Sequence, residues 1–242
     1  MKASVKRWLK GAAFAIGIVA LLYIVQFQFM SNDSWSTWSL PLSGKVIVVD
    51  PGHGGIDGGA TSKDGALEKD ISLEIGFILR DYLQEAGAIV LMTREEDVDL
   101  AGENTHKIRK RKQEDLKRRA DIINESDADL FLSLHLNAIP SPKWSGAQVF
   151  YQKATPGNEE LAKFVQDELT RNLENTTRVA KPIQNVYLLK HATITGALVE
   201  AGFLSNPEEA ELLTKPKYQE KIAASIYQGV IRYYTDEKVP VP

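Results

Sequence analysis

The feature that most constrains the fold of this chain is a regular alternation between short apolar runs and longer segments with helical periodicity. Strands are predicted at residues 46–49, 88–92, 130–134, 146–151 and at a run ending at 197–200, and helices at 69–86, 107–125, 158–172 and 216–234. Gly87 is predicted to end the first of these helices. Strands that alternate with helices favour an α/β sheet covered on both faces. No internal repeat interrupts the pattern, so we expect a single domain.

The N-terminus carries a separate signal. An apolar run from residue 11 to about 25 continues to residue 30 with two glutamines, and it comes after four basic residues: Lys2, Lys6, Arg7 and Lys10. Its length is near the ~20 residues that span a bilayer as a helix, and the preceding basic residues favour export of the rest of the chain. We expect residues 1–30 to be an uncleaved signal anchor. A cleaved signal peptide and a buried core helix are the alternatives, and no small-residue cleavage pattern stands between residues 26 and 36.

The remaining chain divides into a linker and one folded domain. Residues 31–44 are rich in turn-forming residues and are predicted to be a short linker. Its Trp35 and Trp38 would lie either at the membrane interface or against the surface of the domain. Residues 45–236 are then expected to form one folded domain, and a length of roughly 200 residues is ordinary for one hydrophobic core.

Composition excludes several classes of function. The formal net charge is −3, which argues against nucleic acid as a general partner. The chain has no cysteine, so disulfides, thiolate nucleophiles and cysteine-ligated metals are excluded. Any metal must therefore be held by His, Asp or Glu.

Two of the four histidines come directly after or at the end of predicted strands. His53 lies in a glycine-rich turn at residues 50–55, and His135 ends the strand that begins at residue 130. Strand ends are the usual location of ligand sites in α/β folds. The glycines permit tight turning and close approach to a ligand, and neither nucleotide-binding glycine pattern is present. A metal site is preferred over a nucleotide loop or a structural turn, although a chance pair of histidines remains an alternative.

Two glutamates stand at positions where they could join these histidines. Glu68 opens the first predicted helix after the glycine-rich turn, and Glu200 closes an apolar strand. A hydrolytic zinc site needs three protein ligands and an open position, and a further carboxylate can act as the base. His53, Glu68, His135 and Glu200 supply such a set, but their long separations contain no local motif. Solvated surface carboxylates remain the alternative for both glutamates.

Four ordered segments carry a resemblance to a known family. Residues 48–60, 68–70, 133–138 and 199–206, together with Thr93 and Arg94, resemble the zinc-dependent N-acetylmuramoyl-L-alanine amidases of the Amidase_3 family. The resemblance covers about residues 45–234. It implies a twisted, mainly parallel sheet flanked by helices, and hydrolysis of the amide between muramic acid and L-alanine of the peptidoglycan stem peptide.

The same resemblance assigns roles to individual residues. It implies that His53, Glu68 and His135 bind Zn²⁺ and that Glu200 is the catalytic carboxylate. In that arrangement zinc would polarise the scissile carbonyl and increase the acidity of water, while Glu200 would take the proton of the water and protonate the leaving amine.

A narrower resemblance concerns residues 38–44 and 139–146, which look like those of sporulation-specific members of this family. It implies action on spore cortex peptidoglycan, where stem peptides are removed so that muramic δ-lactam can form. The expected location is the outer face of the cytoplasmic membrane, or the secreted fraction if the anchor is cleaved. In a developing spore this location is the intermembrane space. Whether an accessory protein is required stays open.

Three other classes of function can be compared by the residues that each requires. A catalytically silent peptidoglycan-binding module would be favoured by loss of Glu200 or a ligand, yet all four residues are present. A zinc peptidase that cuts within the stem peptide is not excluded by the chemistry. A serine hydrolase is disfavoured because the chain has no G-x-S-x-G turn.

Some remaining features have mainly structural interpretations. Residues 107–119 contain eight Lys or Arg and are predicted to be the solvated face of a helix that buries four apolar side chains: Ile108, Leu116, Ile122 and Ile123. His106 is expected to be exposed, and Thr93–Arg94 to form buried or half-buried hydrogen bonds. His191 and Asn137 are candidates for contact with the substrate or with a metal ligand.

Overall fold

The computed structural model describes residues 2–31, 40–235 and 237–240, in two compact units. The first unit contains helix α1 (Lys2–Ser31). Its stretch Lys6–Ile24 is long and apolar enough to cross a membrane, and none of that stretch is buried in the protein. The predicted linker lies largely outside the described residues.

The second unit is an α/β domain. Its strands are β1 (Val46–Pro51), β2 (Ile89–Met92), β3 (Leu130–Asn137), β4 (Gln148–Tyr151), β5 (Lys181–Pro182) and β6 (Thr195–Phe203). Its helices are α2 (Glu68–Glu85), α3 (Ile108–Glu125), α4 (Asn158–Leu173), α5 (Tyr187–His191), α6 (Pro207–Leu213) and α7 (Pro216–Tyr234).

These six strands form one mixed sheet in the order β2-β1-β3-β6-β4-β5. Strands β2, β1, β3 and β6 run parallel to one another. Strand β4 pairs antiparallel with β6, and β5 pairs parallel with β4. The sheet is therefore mainly parallel, as predicted. Because these strands are parallel, their carboxyl ends lie along one edge of the sheet, and this edge is where ligand sites form in α/β folds.

Side-chain alternation along the strands sorts residues between the two faces of the sheet. Ile47 and Val49 of β1 belong to the larger core, which includes buried residues of α2, α4 and α7. Val48, between them, belongs to the smaller core with residues of α3 and α5. The same alternation in β3 and β6 decides which face each site residue joins.

The predicted elements agree closely with the observed ones, but the burial predicted along α3 is wrong at several positions. Ile108 was expected to pack inward, but it is 62% exposed because it is the first residue of the helix. Ile122, also expected to pack inward, is half-buried and joins neither core. Leu116 and Ile123 do join the smaller core. Three short elements, β5, α5 and α6, were not predicted.

Candidate active site

The four residues predicted for the site come from four elements. His53 comes just after β1, Glu68 is the first residue of α2, His135 lies near the end of β3, and Glu200 lies on β6. Because β1, β3 and β6 are parallel, their carboxyl ends meet at one edge of the sheet. The topology therefore brings together residues that are far apart in sequence.

Three of these residues form what we call the His–Glu–His cluster: His53, Glu68 and His135. One potential ligand atom from each lies within 4.8 Å of the others. Oε1 of Glu68 is 3.2 Å from Nε2 of His53 and 2.9 Å from Nδ1 of His135. Burial alone would raise the pKa of Glu68, but the two histidines outweigh it and hold that pKa well below its usual range.

Backbone amides fix the carboxylate of Glu68. The amide of Leu136 donates to Oε1 at 3.0 Å, and the amide of Ala60 donates to Oε2 at 2.7 Å. Glu68 is only 4% exposed, so this carboxylate is held by the fold before any ligand binds.

The glycine-rich turn is shaped by close approach to the cluster. His53 has a left-handed backbone with φ of 61°, a conformation that β-carbon sterics disfavour. Gly59 has φ of 68°, and a Cβ there would lie 2.5 Å from Oε2 of Glu68. A Cβ at Gly52 would overlap the ring of His135. The glycines are thus required for packing around the histidines.

Asp57 is a site residue that was not predicted from the sequence. Its Oδ2 lies 3.0 Å from Nδ1 of His53, and its Oδ1 lies 2.8 Å from Nζ of Lys112. A carboxylate at Nδ1 favours the tautomer whose Nε2 lone pair faces Glu68 and is free for a metal. The one sequence feature that could have identified Asp57 is its position four residues after His53 in the same turn.

Glu200 lies directly opposite His135 in the parallel register of β3 and β6. Residues separated by an even number along a strand share one face of the sheet. Phe131 and Leu198 belong to the smaller core, so His135, four residues after Phe131, and Glu200, two residues after Leu198, lie on that face. Burial raises the pKa of Glu200 to about 7, with the negative charge of Glu68 adding to the effect and His135 opposing it. Its Oε2 is buried and has no hydrogen-bond partner among the described residues.

A buried polar network lies beneath the turn and centres on Arg119 of α3, which is 1% exposed. Its guanidinium donates to Oδ1 of Asp50 at 2.8 Å and to the carbonyls of Pro51 at 2.7 Å and His53 at 2.5 Å. A further N–H donates to Asp115 at 2.9 Å. The solvated helix face predicted for residues 107–119 is therefore wrong at Arg119, which points inward because it lies three residues after Leu116 and four before Ile123.

The remaining candidate residues lie around this site or away from it. Arg94 is buried and donates to the carbonyls of Pro51 and Gly52, which confirms the hydrogen-bonding role predicted for Thr93–Arg94. His106 is exposed, as expected. His191 is exposed at the end of α5, where its ring stacks on Tyr187 with centroids 4.0 Å apart. The structure gives Asn137 a backbone role, because its carbonyl accepts from the amide of Leu204.

The donor set of the cluster fits a divalent metal. Two imidazole nitrogens and one carboxylate oxygen converge, and this set suits zinc in hydrolytic sites. The unpartnered buried oxygen of Glu200 supplies a further acceptor next to His135 in the register. An α/β domain that carries such a cluster, and a carboxylate with one buried oxygen, at the ends of its parallel strands has the arrangement of a metal-dependent hydrolase.

Comparison with known proteins defines the family. The family model described as N-acetylmuramoyl-L-alanine amidase (Amidase_3) matches residues 47–232. The chain belongs to this family of amide hydrolases, which confirms the resemblance seen in the sequence.

Individual relatives agree with this assignment. The germination-specific N-acetylmuramoyl-L-alanine amidase of Bacillus subtilis (strain 168) is 57% identical over 235 residues, which cover 97% of this chain and 99% of that protein. The CwlD amidase of Clostridioides difficile, solved in complex with the GerS lipoprotein, gives a TM-score of 0.76 at 46% identity, with 78% of this chain and 98% of that chain covered. An N-acetylmuramoyl-L-alanine amidase of Clostridium difficile 630 gives a TM-score of 0.69 at 33% identity, with 78% and 96% covered.

Proposed function

We propose that this chain is a zinc-dependent amidase of spore peptidoglycan in which His53, Glu68 and His135 hold the metal and Glu200 is the catalytic carboxylate. The observation that carries the proposal is the convergence of the His–Glu–His cluster with Glu200 at one edge of the sheet. The bond cleaved is the amide that joins the lactyl group of muramic acid to L-alanine, which is the bond named by the family.

Each side chain of the site has a defined task in this proposal. A bound zinc ion would supply Lewis-acid polarisation of the scissile carbonyl and would increase the acidity of water. The amides of Ala60 and Leu136 hold Glu68 in place, and Asp57 orients the ring of His53.

Glu200 moves the proton. A carboxylate whose pKa is raised by burial is a stronger base, so it can accept a proton from the attacking water and return it to the leaving nitrogen. The C–N bond then breaks, which leaves a free carboxyl on muramic acid and a free amine on L-alanine. Glu200 is half-buried, and its Oε2 is shielded from bulk solvent where it would carry the proton.

The spore role, the location and a partner belong to the same proposal. The spore role is supported by 57% identity to a relative named germination-specific N-acetylmuramoyl-L-alanine amidase. Membrane anchoring by α1 and export of the domain are supported by the length and apolar character of Lys6–Ile24. An accessory protein is supported by the complex of the C. difficile amidase with the GerS lipoprotein.

The first test is product analysis with the full-length chain purified in detergent. The chain is incubated with zinc and purified peptidoglycan, and released peptides are examined by mass spectrometry. We expect free stem peptides that begin with L-alanine, with no release after chelation and recovery when zinc is restored. Glu200→Gln should lower the rate by at least about 100-fold, the lower end of the range for a general acid–base group, while zinc content stays unchanged. Glu211→Gln, at an exposed position of α6, is the matched control and should leave the rate unchanged.

Other outcomes would reject the proposal in distinguishable ways. Peptides that lack the N-terminal L-alanine would indicate a peptidase, and binding to peptidoglycan without release would indicate a silent binding module. Equal rates on cortex and vegetative peptidoglycan, with and without a candidate lipoprotein partner, would argue against the spore-specific part alone.

A further inference from the structure

A cavity of about 240 Å³ opens beside the His–Glu–His cluster, between the turn after β1 and helices α3 and α5. His53 and His135 form one part of its lining. Leu116 of α3 and Leu188 of α5 form an apolar part, and Lys112 of α3 forms a cationic part. A ligand that fills this space would therefore meet the catalytic centre, an aliphatic wall and an ammonium group.

Two cations and three aspartates, Asp50, Asp57 and Asp115, line the cavity, and the two cations differ in how many N–H donors are left for a ligand. Arg119 is buried, and its guanidinium is occupied by two carboxylates and two backbone carbonyls. The side chain of Lys112 is 48% exposed, and its ammonium pairs with Asp57 at 2.8 Å. An ammonium has three N–H donors, so Lys112 retains donors for a ligand.

The two neighbouring cations Arg111 and Lys110 pair with other carboxylates and are absent from the lining of the cavity. Arg111 is held by Asp99 at 2.6 Å, and Lys110 lies 3.6 Å from Glu114 with 66% of its side chain exposed. Lys112 is fixed by Asp57, which is itself fixed by His53. The ammonium is therefore tied through Asp57 to the turn that carries His53.

We propose that Lys112 binds a carboxylate on the peptide side of the scissile amide, while Leu116 and Leu188 contact the aliphatic part of the same residue. The inference rests on the proposed function and deepens it. The peptide part of the substrate carries free carboxylates, whereas the lactyl carboxyl of the glycan part is tied up in the amide to be cut. Because the cavity adjoins the His–Glu–His cluster, it reaches residues close to the scissile amide, so the ligand class is an acidic residue directly after L-alanine in the stem peptide.

The test compares two muropeptides that differ only in a carboxylate or a carboxamide on the residue after L-alanine. Binding to the full-length chain in detergent with zinc is measured by titration calorimetry in a Glu200→Gln background, so that neither ligand is consumed. We expect the carboxylate ligand to bind roughly ten-fold more tightly, as for a charge-assisted hydrogen bond. Adding Lys112→Ala should remove this preference, and adding Lys110→Ala, an equal change of charge on the same helix, should retain it.

Two results would overturn the inference. One is a preference that survives Lys112→Ala. The other is an equal loss of affinity for both ligands together with reduced zinc content, which would show that Lys112 acts only through Asp57 and His53. The ratio of affinities decides the inference without catalysis. Failure of the unsubstituted chain to cleave the carboxylate muropeptide would reject the proposed function separately.

Discussion

Glu68 combines two tasks at the residue scale, and they are separable by substitution. Its carboxylate accepts two backbone hydrogen bonds and faces two histidines. A glutamine at this position could still accept from a backbone amide, but it would lack the negative charge that a metal ligand supplies. The structural task and the ligand task therefore predict different outcomes for Glu68→Gln.

We predict that Glu68→Gln weakens zinc binding by more than about 100-fold, because loss of an outer partner alone costs 10- to 100-fold and Glu68 is assigned as a ligand. Zinc should raise the melting temperature of the unsubstituted chain, since a ligand that binds only the folded state stabilises it. The increase should be largely absent in the variant. Chelator competition and thermal unfolding with added zinc measure the two effects.

Glu85→Gln is the matched control, because Glu85 is the exposed last residue of the same helix. It should bind zinc like the unsubstituted chain. If Glu68→Gln kept full zinc affinity, the ligand assignment would be wrong and Glu68 would be a structural acceptor only.

The site shows how far single residues can be predicted. Glu68 and His135 are separated by 67 residues, so no spacing rule joins them, and only the resemblance assigned their roles. The structure brings them together because the parallel register fixes where β1 and β3 end. Asp57 and Arg119 were missed for a different reason: each is one of many charged residues, and only tertiary contacts distinguish it.

At the element scale, prediction succeeded where an element is long enough to show its period. The start and end of α7 match the prediction, and α2 is within one residue at each end, with Gly87 in a left-handed conformation just beyond. The short elements β5 and α6 have two and seven residues, too few for a period to emerge. The antiparallel placement of β4 was equally invisible, since a strand pattern carries no direction.

Helix α3 is joined to the sheet by a charge pair whose contribution depends on pH. Burial alone would raise the pKa of Asp50, but the positive charge of Arg119 and hydrogen bonds from Ser133 and Thr93 outweigh it and hold that pKa below its usual range. A carboxylate with a lowered pKa in the folded state contributes stability above its unfolded pKa of about 3.9 and loses it as pH falls toward the folded value.

We predict that Asp50→Asn lowers the free energy of unfolding at pH 7 by about 3 kcal/mol, because it leaves a buried guanidinium without one of its two carboxylate partners. The deficit should shrink as pH falls from about 5 to 3, since the unsubstituted chain then loses the same contribution. Urea unfolding at several pH values measures both.

The exposed Asp81→Asn is a control of the same chemistry and should change stability by less than about 0.5 kcal/mol. A deficit for Asp50→Asn that stayed constant from pH 7 to 3 would contradict the charge-pair explanation. Such a constant deficit would mean that lost hydrogen bonds, and not the lost charge of Asp50, cause the loss of stability.

At the scale of the whole molecule, α1 and the catalytic domain differ in how far their apolar side chains are exposed. The described side chains of Lys6–Ile24 are exposed within their own unit, including Ile16 at 69% and Val19 at 66%. Exposing so many apolar side chains to water is unfavourable by roughly 25 cal/mol per Å², whereas a bilayer removes that cost. The domain, by contrast, buries its own apolar residues in two cores.

We therefore predict that the full-length chain stays with the membrane fraction after alkaline carbonate extraction. Val19→Lys combined with Ile16→Lys should release it, because each lysine at the centre of a spanning helix costs about 2.5–3.5 kcal/mol on insertion scales. Ile16→Leu with Val19→Leu changes the same positions without charge and should stay in the membrane. A shortened chain in the extracellular fraction would instead identify the segment as a cleaved signal peptide. In that case the proposed catalytic site would still face the wall, but its reach would be set by diffusion and not by an anchor.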